Sequence, residues 1–266
     1  KDLEAAGAHI IGLKDMAGLL KPAQARILVK ALKEETGLPI HFHTHDTSGI
    51  SASTVLAASD AGVDAVDAAM DSFSGLTSQP CLGSIVEALK HTERDTGLDM
   101  GAVRQISNYW EAVRGQYAAF ESGIPAPASE VYLHEMPGGQ YTNLMFQSQS
   151  MGLASEWSGV KKAYREANDL LGDVVKVTPS SKVVGDLALF LVTNKLSADD
   201  VMKSTVPLSF PRSVVEMMQG LLGEPVGGWP PEFQQIVLKS AHVEAIVGRP
   251  GASMPPADFI KSTTIS

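Results

Sequence analysis

Three apolar stretches, at residues 8–13, 38–45 and 63–69, recur near the start of the chain, with helix-patterned segments between them. Their starts lie roughly 25 to 30 residues apart, the length of one strand-plus-helix unit, as in a parallel barrel or sheet. Pro22 near the start of one intervening helix and Gly37 after its end bracket it in the usual sense. A closed eight-stranded barrel takes about 250 residues, so three units make only its final part. The class expected is α/β: the last part of a TIM-type (β/α)8 barrel, followed by a mainly helical C-terminal module.

After about Cys81 no regular strand follows, and helices are expected over 99–122, 156–171 and 180–195. Pro125, Pro127 and Gly138-Gly139 mark loops, and 225–231 is a Gly/Pro/Trp-rich connection. The domain reading is 1–80 for the final βα units, 81–249 for the helical module and 250–266 for a linker or tail. The opening KDLEAAGAHI reads as a helix end running into a strand, so the chain is expected to begin inside a domain with the N-terminal strands upstream.

With 44% hydrophobic residues the chain has the composition of a folded protein. Its net charge of -9 repels both nucleic acid and anionic membrane, and neither is expected as a partner. A small anionic substrate would therefore need a local basic or metal site. Cys81 is the one cysteine, which excludes an intramolecular disulfide framework and fits a reducing compartment. No apolar run reaches the length of a membrane span.

The sharpest chemical signal is His41-Phe42-His43-Thr44-His45-Asp46, at the end of the second strand. Side chains two apart share a face of a strand, so His43 and His45 can aim two imidazole nitrogens at one metal ion. The alternative is a pair of hydrogen-bonded core histidines. His41 lies one step deeper on the same face, as a structural group or a support for a ligand. Lys14 closes the preceding strand and so faces the same mouth. Two readings of it stay open: a salt bridge, to Asp15 or Asp46, or a carbamate formed with carbon dioxide, whose anionic oxygen can ligate a divalent ion. Thr178, ahead of Pro179-Ser180-Ser181-Lys182, reads locally as the N-cap of a helix with proline in its first turn. Gly138-Gly139 and Gly227-Gly228 fit no phosphate-loop pattern and read as turns. Trp110, Trp157 and Trp229 read as core or interface anchors.

The runs GLKDMAGLLKP, LPIHFHTHDTSG and DSFSGLTSQP resemble the carboxyltransferase domain of the pyruvate carboxylase family. NYWEAVRGQYAAFESG, HEMPGGQYTNL, VTPSSKVVGDLALF and SFPRSVVEMMQGLLGEP extend the resemblance over nearly the whole chain. The later runs favour that family over transcarboxylase and oxaloacetate decarboxylase subunits. The resemblance implies biotin-dependent carboxylation of pyruvate to oxaloacetate. It implies that Lys14 is the carbamylated lysine and that His43 and His45 are metal ligands, with zinc or manganese as the ion. It implies that Thr178 shuttles a proton between pyruvate and biotin, with Ser181 near the biotin ring. The family's remaining metal ligand, an aspartate, and the residues that anchor substrate belong to its upstream strands, so these residues alone are not expected to complete a site.

Met202-Lys203 lacks the second methionine of a biotin-attachment context, so biotin is expected on a separate carrier domain. ATP, bicarbonate and magnesium are expected to be used elsewhere in the full enzyme, a homotetramer that is cytoplasmic in bacteria and in the mitochondrial matrix in animals. Two other readings compete: an acyl-CoA lyase or synthase built on the same barrel, and a structural or assembly segment without activity of its own.

Overall fold

The computed structural model describes residues 1–246 together with Gly248 and Pro255, so the tail assigned to 250–266 lies, apart from Pro255, outside the described residues. The chain divides into two compact units, Lys1–Ser158 and Gly159–Ser266. The first unit opens with α1 (Asp2–Ala5), β1 (Ile11–Asp15), α2 (Pro22–Glu35), β2 (Ile40–Thr44), α3 (Ser51–Asp60) and β3 (Ala65–Val66). The three strands are parallel in the order β1-β2-β3, with Ile11 beside Ile40, Lys14 beside His43 and Phe42 beside Val66.

Alternation along β2 decides which face is core. Ile40 and Phe42 are buried among Ala25 and Val29 of α2, Val55 and Ala58 of α3, and Val63, so His41 and His43 must take the opposite face. Strand ends differ from the pattern-based expectation for local reasons. The Ala8 N–H bonds back to the Leu3 carbonyl in the turn after α1, which delays β1 and carries Lys14 inside the strand. Pro39, lacking an N–H, precedes the start of β2. β3 keeps only two ladder residues, flanked by bonds from Asp64 N–H to the Ile40 carbonyl and from Asp67 N–H to the Phe42 carbonyl.

Four more helices belong to this unit: α4 (Leu82–Leu89), α5 (Met100–Arg114), α6 (Val131–His134) and α7 (Gly138–Ser150). Asp99 caps α5 by accepting the Gly101 N–H at 2.8 Å. The expected helix over 99–122 ends early, and Gly115–Phe120 tightens into a 3-10 turn. The last strand ends at Val66, and Cys81, where the texture changes, pairs with Ala69 in an isolated parallel bridge just before α4. The compact unit runs on to Ser158 because later segments fasten to the strand loops: the Ala128 N–H bonds to the Thr47 carbonyl, and the Gly138 N–H to the Met16 carbonyl.

The second unit holds most of α8 (Trp157–Leu170), then α9 (Ser180–Asn194), α10 (Ala198–Met202), α11 (Arg212–Met218) and α12 (Pro231–Ala241). On α8, Val160, Ala163, Tyr164 and Ala167 are buried at helical spacing. α9 buries Val183, Val184, Leu187, Ala188 and Leu191, and its neighbour α11 also packs against α12. Ser197 and Asp200 form a reciprocal capping box at the start of α10.

Phe42 is 1% exposed at the centre of the first unit's core. Phe42→Ala should destabilise that unit by about 3–5 kcal/mol through lost transfer energy and an unfilled cavity, measured by urea unfolding. A loss below about 1 kcal/mol would place the core elsewhere.

Candidate metal centre

His45 lies just past the end of β2 and keeps the strand's two-residue period, so its ring meets that of His43. The two Nε2 atoms are 3.3 Å apart, with ring centroids at 5.1 Å and planes crossed at 77°. The other nitrogen of each ring has a partner of known character. His45 Nδ1 lies 2.6 Å from the Thr77 carbonyl oxygen, which can only accept, so that nitrogen carries the proton. His43 Nδ1 lies 2.7 Å from Asp67 Oδ2. Burial pushes the Asp67 carboxyl up, but hydrogen bonds from His41 and His43 outweigh this and hold it below the usual range. It is therefore an ionised acceptor, and His43 Nδ1 donates to it.

With each Nδ1 donating, the two rings in their neutral forms present Nε2 lone pairs to one another at 3.3 Å. Two facing lone pairs repel unless a cation shares them. A proton is disfavoured at His45, whose pKa is lowered by burial against the opposing pull of the Thr77 carbonyl, with His43 lowering it further. The ring is thus neutral at pH 7, and the pair fits a divalent ion with nitrogen affinity. Among the described residues no group of three or more His, Cys, Asp and Glu side chains gathers to hold a metal, so a further ligand from within them would have to be of another kind.

Lys14 lies on the strand beside the pair. It is the register partner of His43, and it is exposed, on the alternate position to the core-packed Leu13. The two carboxylates considered as salt-bridge partners of Lys14 have other bonds. Asp15 spends its carboxylate on the Leu19 and Leu20 N–H groups, both at 2.9 Å, and on Thr44 Oγ1 at 3.0 Å. Asp46 accepts the Ser51 N–H at 3.1 Å, and burial raises its pKa against the pull of Ser51.

Three contributors went unread in the sequence. Asp67 bridges His41 and His43, each at 2.7 Å, and the Thr77 carbonyl orients His45. Gly138, read as a turn residue, is instead the first residue of α7. A Cβ there would meet His45 Nδ1 at 2.5 Å and the Thr77 oxygen at 2.7 Å, whereas one at Gly139 would meet nothing within 4 Å. Gly138→Ala should therefore displace the His45 ring and weaken divalent-ion binding by about tenfold or more, while Gly139→Ala should not. Equal metal affinity in the two variants would remove Gly138 from the site.

Thr178 and Ser181 lie in the second unit. Thr178 is exposed and Ser181 is buried. The expected N-cap role of Thr178 is not what the chain does. Pro179 occupies the cap position without a side-chain bond, and the Ser180 hydroxyl organises the turn instead, accepting the Val177 N–H and lying within bonding distance of the Val175 and Val177 carbonyls. Thr178 is left out of the helix start.

Residues 131–264 match the family model for a conserved carboxylase domain, and residues 1–109 match the HMGL-like model. The chain is 50% identical to pyruvate carboxylase of Bacillus subtilis over 259 residues, covering 97% of this chain and 22% of that protein. It is 52% identical to the mitochondrial pyruvate carboxylase of Homo sapiens over 262 residues, again 97% of this chain and 22% of that one. The chain belongs to the pyruvate carboxylase carboxyltransferase-domain family. Among solved members, the carboxyltransferase domain of Rhizobium etli pyruvate carboxylase with pyruvate is 62% identical at a TM-score of 0.92, covering 98% of this chain and 44% of that one. The same domain with pyruvate and biocytin matches at a TM-score of 0.93. The fold is thereby TIM-type βα units followed by a helical module. The chain spans about a fifth of the length of the curated pyruvate carboxylases it matches.

Proposed function

We propose that these residues serve the carboxyltransferase half-reaction of a pyruvate carboxylase, in which the methyl carbon of pyruvate takes a carboxyl group carried by biotin and becomes oxaloacetate. The observation that carries the reading is the convergence of the His43 and His45 Nε2 lone pairs, in a chain of this family, beside the register partner Lys14. His43 and His45 would hold a divalent ion, zinc or manganese, and Lys14 would join them as a carbamate. When bound, the ion would stabilise the negative charge that develops on the pyruvate oxygen as the methyl proton leaves.

The chain's own residues supply the rest. His45 is held by the Thr77 carbonyl and by Gly138 so that its lone pair needs no reorientation. The Thr178 hydroxyl gives a proton to biotin and takes one from the pyruvate methyl. A threonine hydroxyl is a weak acid and a weak base, so the transfer must be concerted. Ser181 is proposed to contact biotin. These two assignments rest on the family resemblance. The carrier domain that brings biotin, the sites for ATP, bicarbonate and magnesium, and a homotetrameric assembly belong to the whole protein and are part of this proposal. So is its location, in the cytoplasm of a bacterium or the mitochondrial matrix of an animal. Among the described residues no helix is long and apolar enough to cross a membrane.

The HMGL-like match alone leaves an acyl-CoA lyase or synthase in view. The conserved carboxylase match and the pyruvate carboxylase relatives decide against it. Assay of pyruvate-dependent oxaloacetate formation by the full-length protein tests the substrate, and turnover of another 2-oxo acid in preference to pyruvate would overturn it.

A further inference from the structure

We infer that Asp67 is a positioning residue that sorts two chemically identical histidines of β2 into one metal ligand and one anchor, an inference that rests on the metal reading above. Asp67 follows β3, and its backbone is pinned to β2 by the 3.0 Å bond from its N–H to the Phe42 carbonyl. Its carboxylate straddles the two imidazoles, with Oδ1 2.7 Å from His41 Nε2 and Oδ2 2.7 Å from His43 Nδ1. A carboxylate only accepts, so whichever nitrogen faces it must carry hydrogen. The two rings face it by opposite nitrogens. In their neutral forms His41 is thereby left with its lone pair on Nδ1, and His43 with its lone pair on Nε2.

Only the second of these lone pairs points at His45 Nε2, 3.3 Å away. Without Asp67, His43 could place its proton on Nε2 and present an N–H to the ion. The carboxylate also makes the imidazole it holds a stronger donor. Asp67 is about 38% exposed, and a single ion pair at that exposure contributes little. Its influence comes from two simultaneous bonds that leave one geometry for both rings.

The test uses Zn2+ alone as probe on the full-length protein, with competition titration for affinity and long-range 1H–15N correlation of the metal-free histidine rings for tautomer. Wild type should bind Zn2+ and show His43 protonated on Nδ1. Asp67→Leu removes both acceptors and should bind Zn2+ about 10–100-fold more weakly, with the His43 tautomer no longer fixed. Asp67→Asn keeps a carbonyl for His43 if its amide donates to His41. It should recover most of the affinity while His41 moves its proton to Nδ1, a signature that a purely structural role would not give. His41→Leu removes one of the two bonds that hold the carboxylate but keeps the Asp67–His43 bond, so it should weaken Zn2+ binding by less than Asp67→Leu does.

If Asp67→Leu binds Zn2+ as tightly as wild type, or wild-type His43 is protonated on Nε2, the positioning role is overturned while the metal site stands. A wild type that binds no Zn2+ and no Mn2+ overturns both. Should Asp67→Leu fail to fold, the wild-type tautomer and the Asp67→Asn variant still decide.

Discussion

His45→Ala is expected to strip the divalent ion from the protein and to lower pyruvate carboxylation by at least about a hundredfold. Its ring supplies one of two Nε2 atoms that meet at 3.3 Å, and among the described residues no third His, Cys, Asp or Glu is on hand to replace it. The ring is 9% exposed and wedged between the Thr77 carbonyl and Gly138, so alanine leaves a small polar gap rather than a collapsed core. Phe42 and Ile40, which stabilise β2, lie on the opposite face. The variant should therefore fold. Metal analysis by mass spectrometry and an oxaloacetate assay check the two halves separately. Retained stoichiometric metal would remove His45 from the ligand set.

Thr178→Ala is expected to lower carboxyl transfer by about 10²–10⁴-fold, the usual contribution of a positioned proton-transfer group, with metal content unchanged. Thr178 is exposed and caps no helix, because Pro179 holds the cap position and the Ser180 hydroxyl organises the turn. A loss of activity could then not be charged to a damaged helix start, and the start of α9 should survive the substitution. Thr178→Ser, which keeps the hydroxyl, should restore much of the activity. Substantial carboxylation by the alanine variant would defeat the proton-relay assignment without touching the metal reading.

The legible parts of the site were those encoded by local period. Strand alternation aligned His43 with His45, because a two-residue repeat needs no knowledge of what lies across the sheet. Lys14 was legible as a neighbour for a related reason, since parallel strands of similar length place it beside His43. Asp67 was not, although only 24 residues separate it from His43, because its role depends on the β2–β3 register and on which oxygen reaches which ring. Gly138 was hidden by its own chemistry. A glycine pair after proline reads as a turn, and only the close approach to His45 shows that the first of the two must lack a side chain. Thr178 was misread as a cap because Ser180 competes for the same local bonds. The end of the first compact unit at Ser158 leaves no mark in composition; it follows from bonds such as Gly138 to Met16, which join segments far apart in sequence.

The most direct measurement is metal analysis of the full-length protein together with crystallographic inspection of Lys14. The account predicts one divalent ion per chain, ligated by His43, His45 and an oxygen of carbamylated Lys14. An absent ion, or Lys14 as a free amine turned away from the histidine pair, would contradict it.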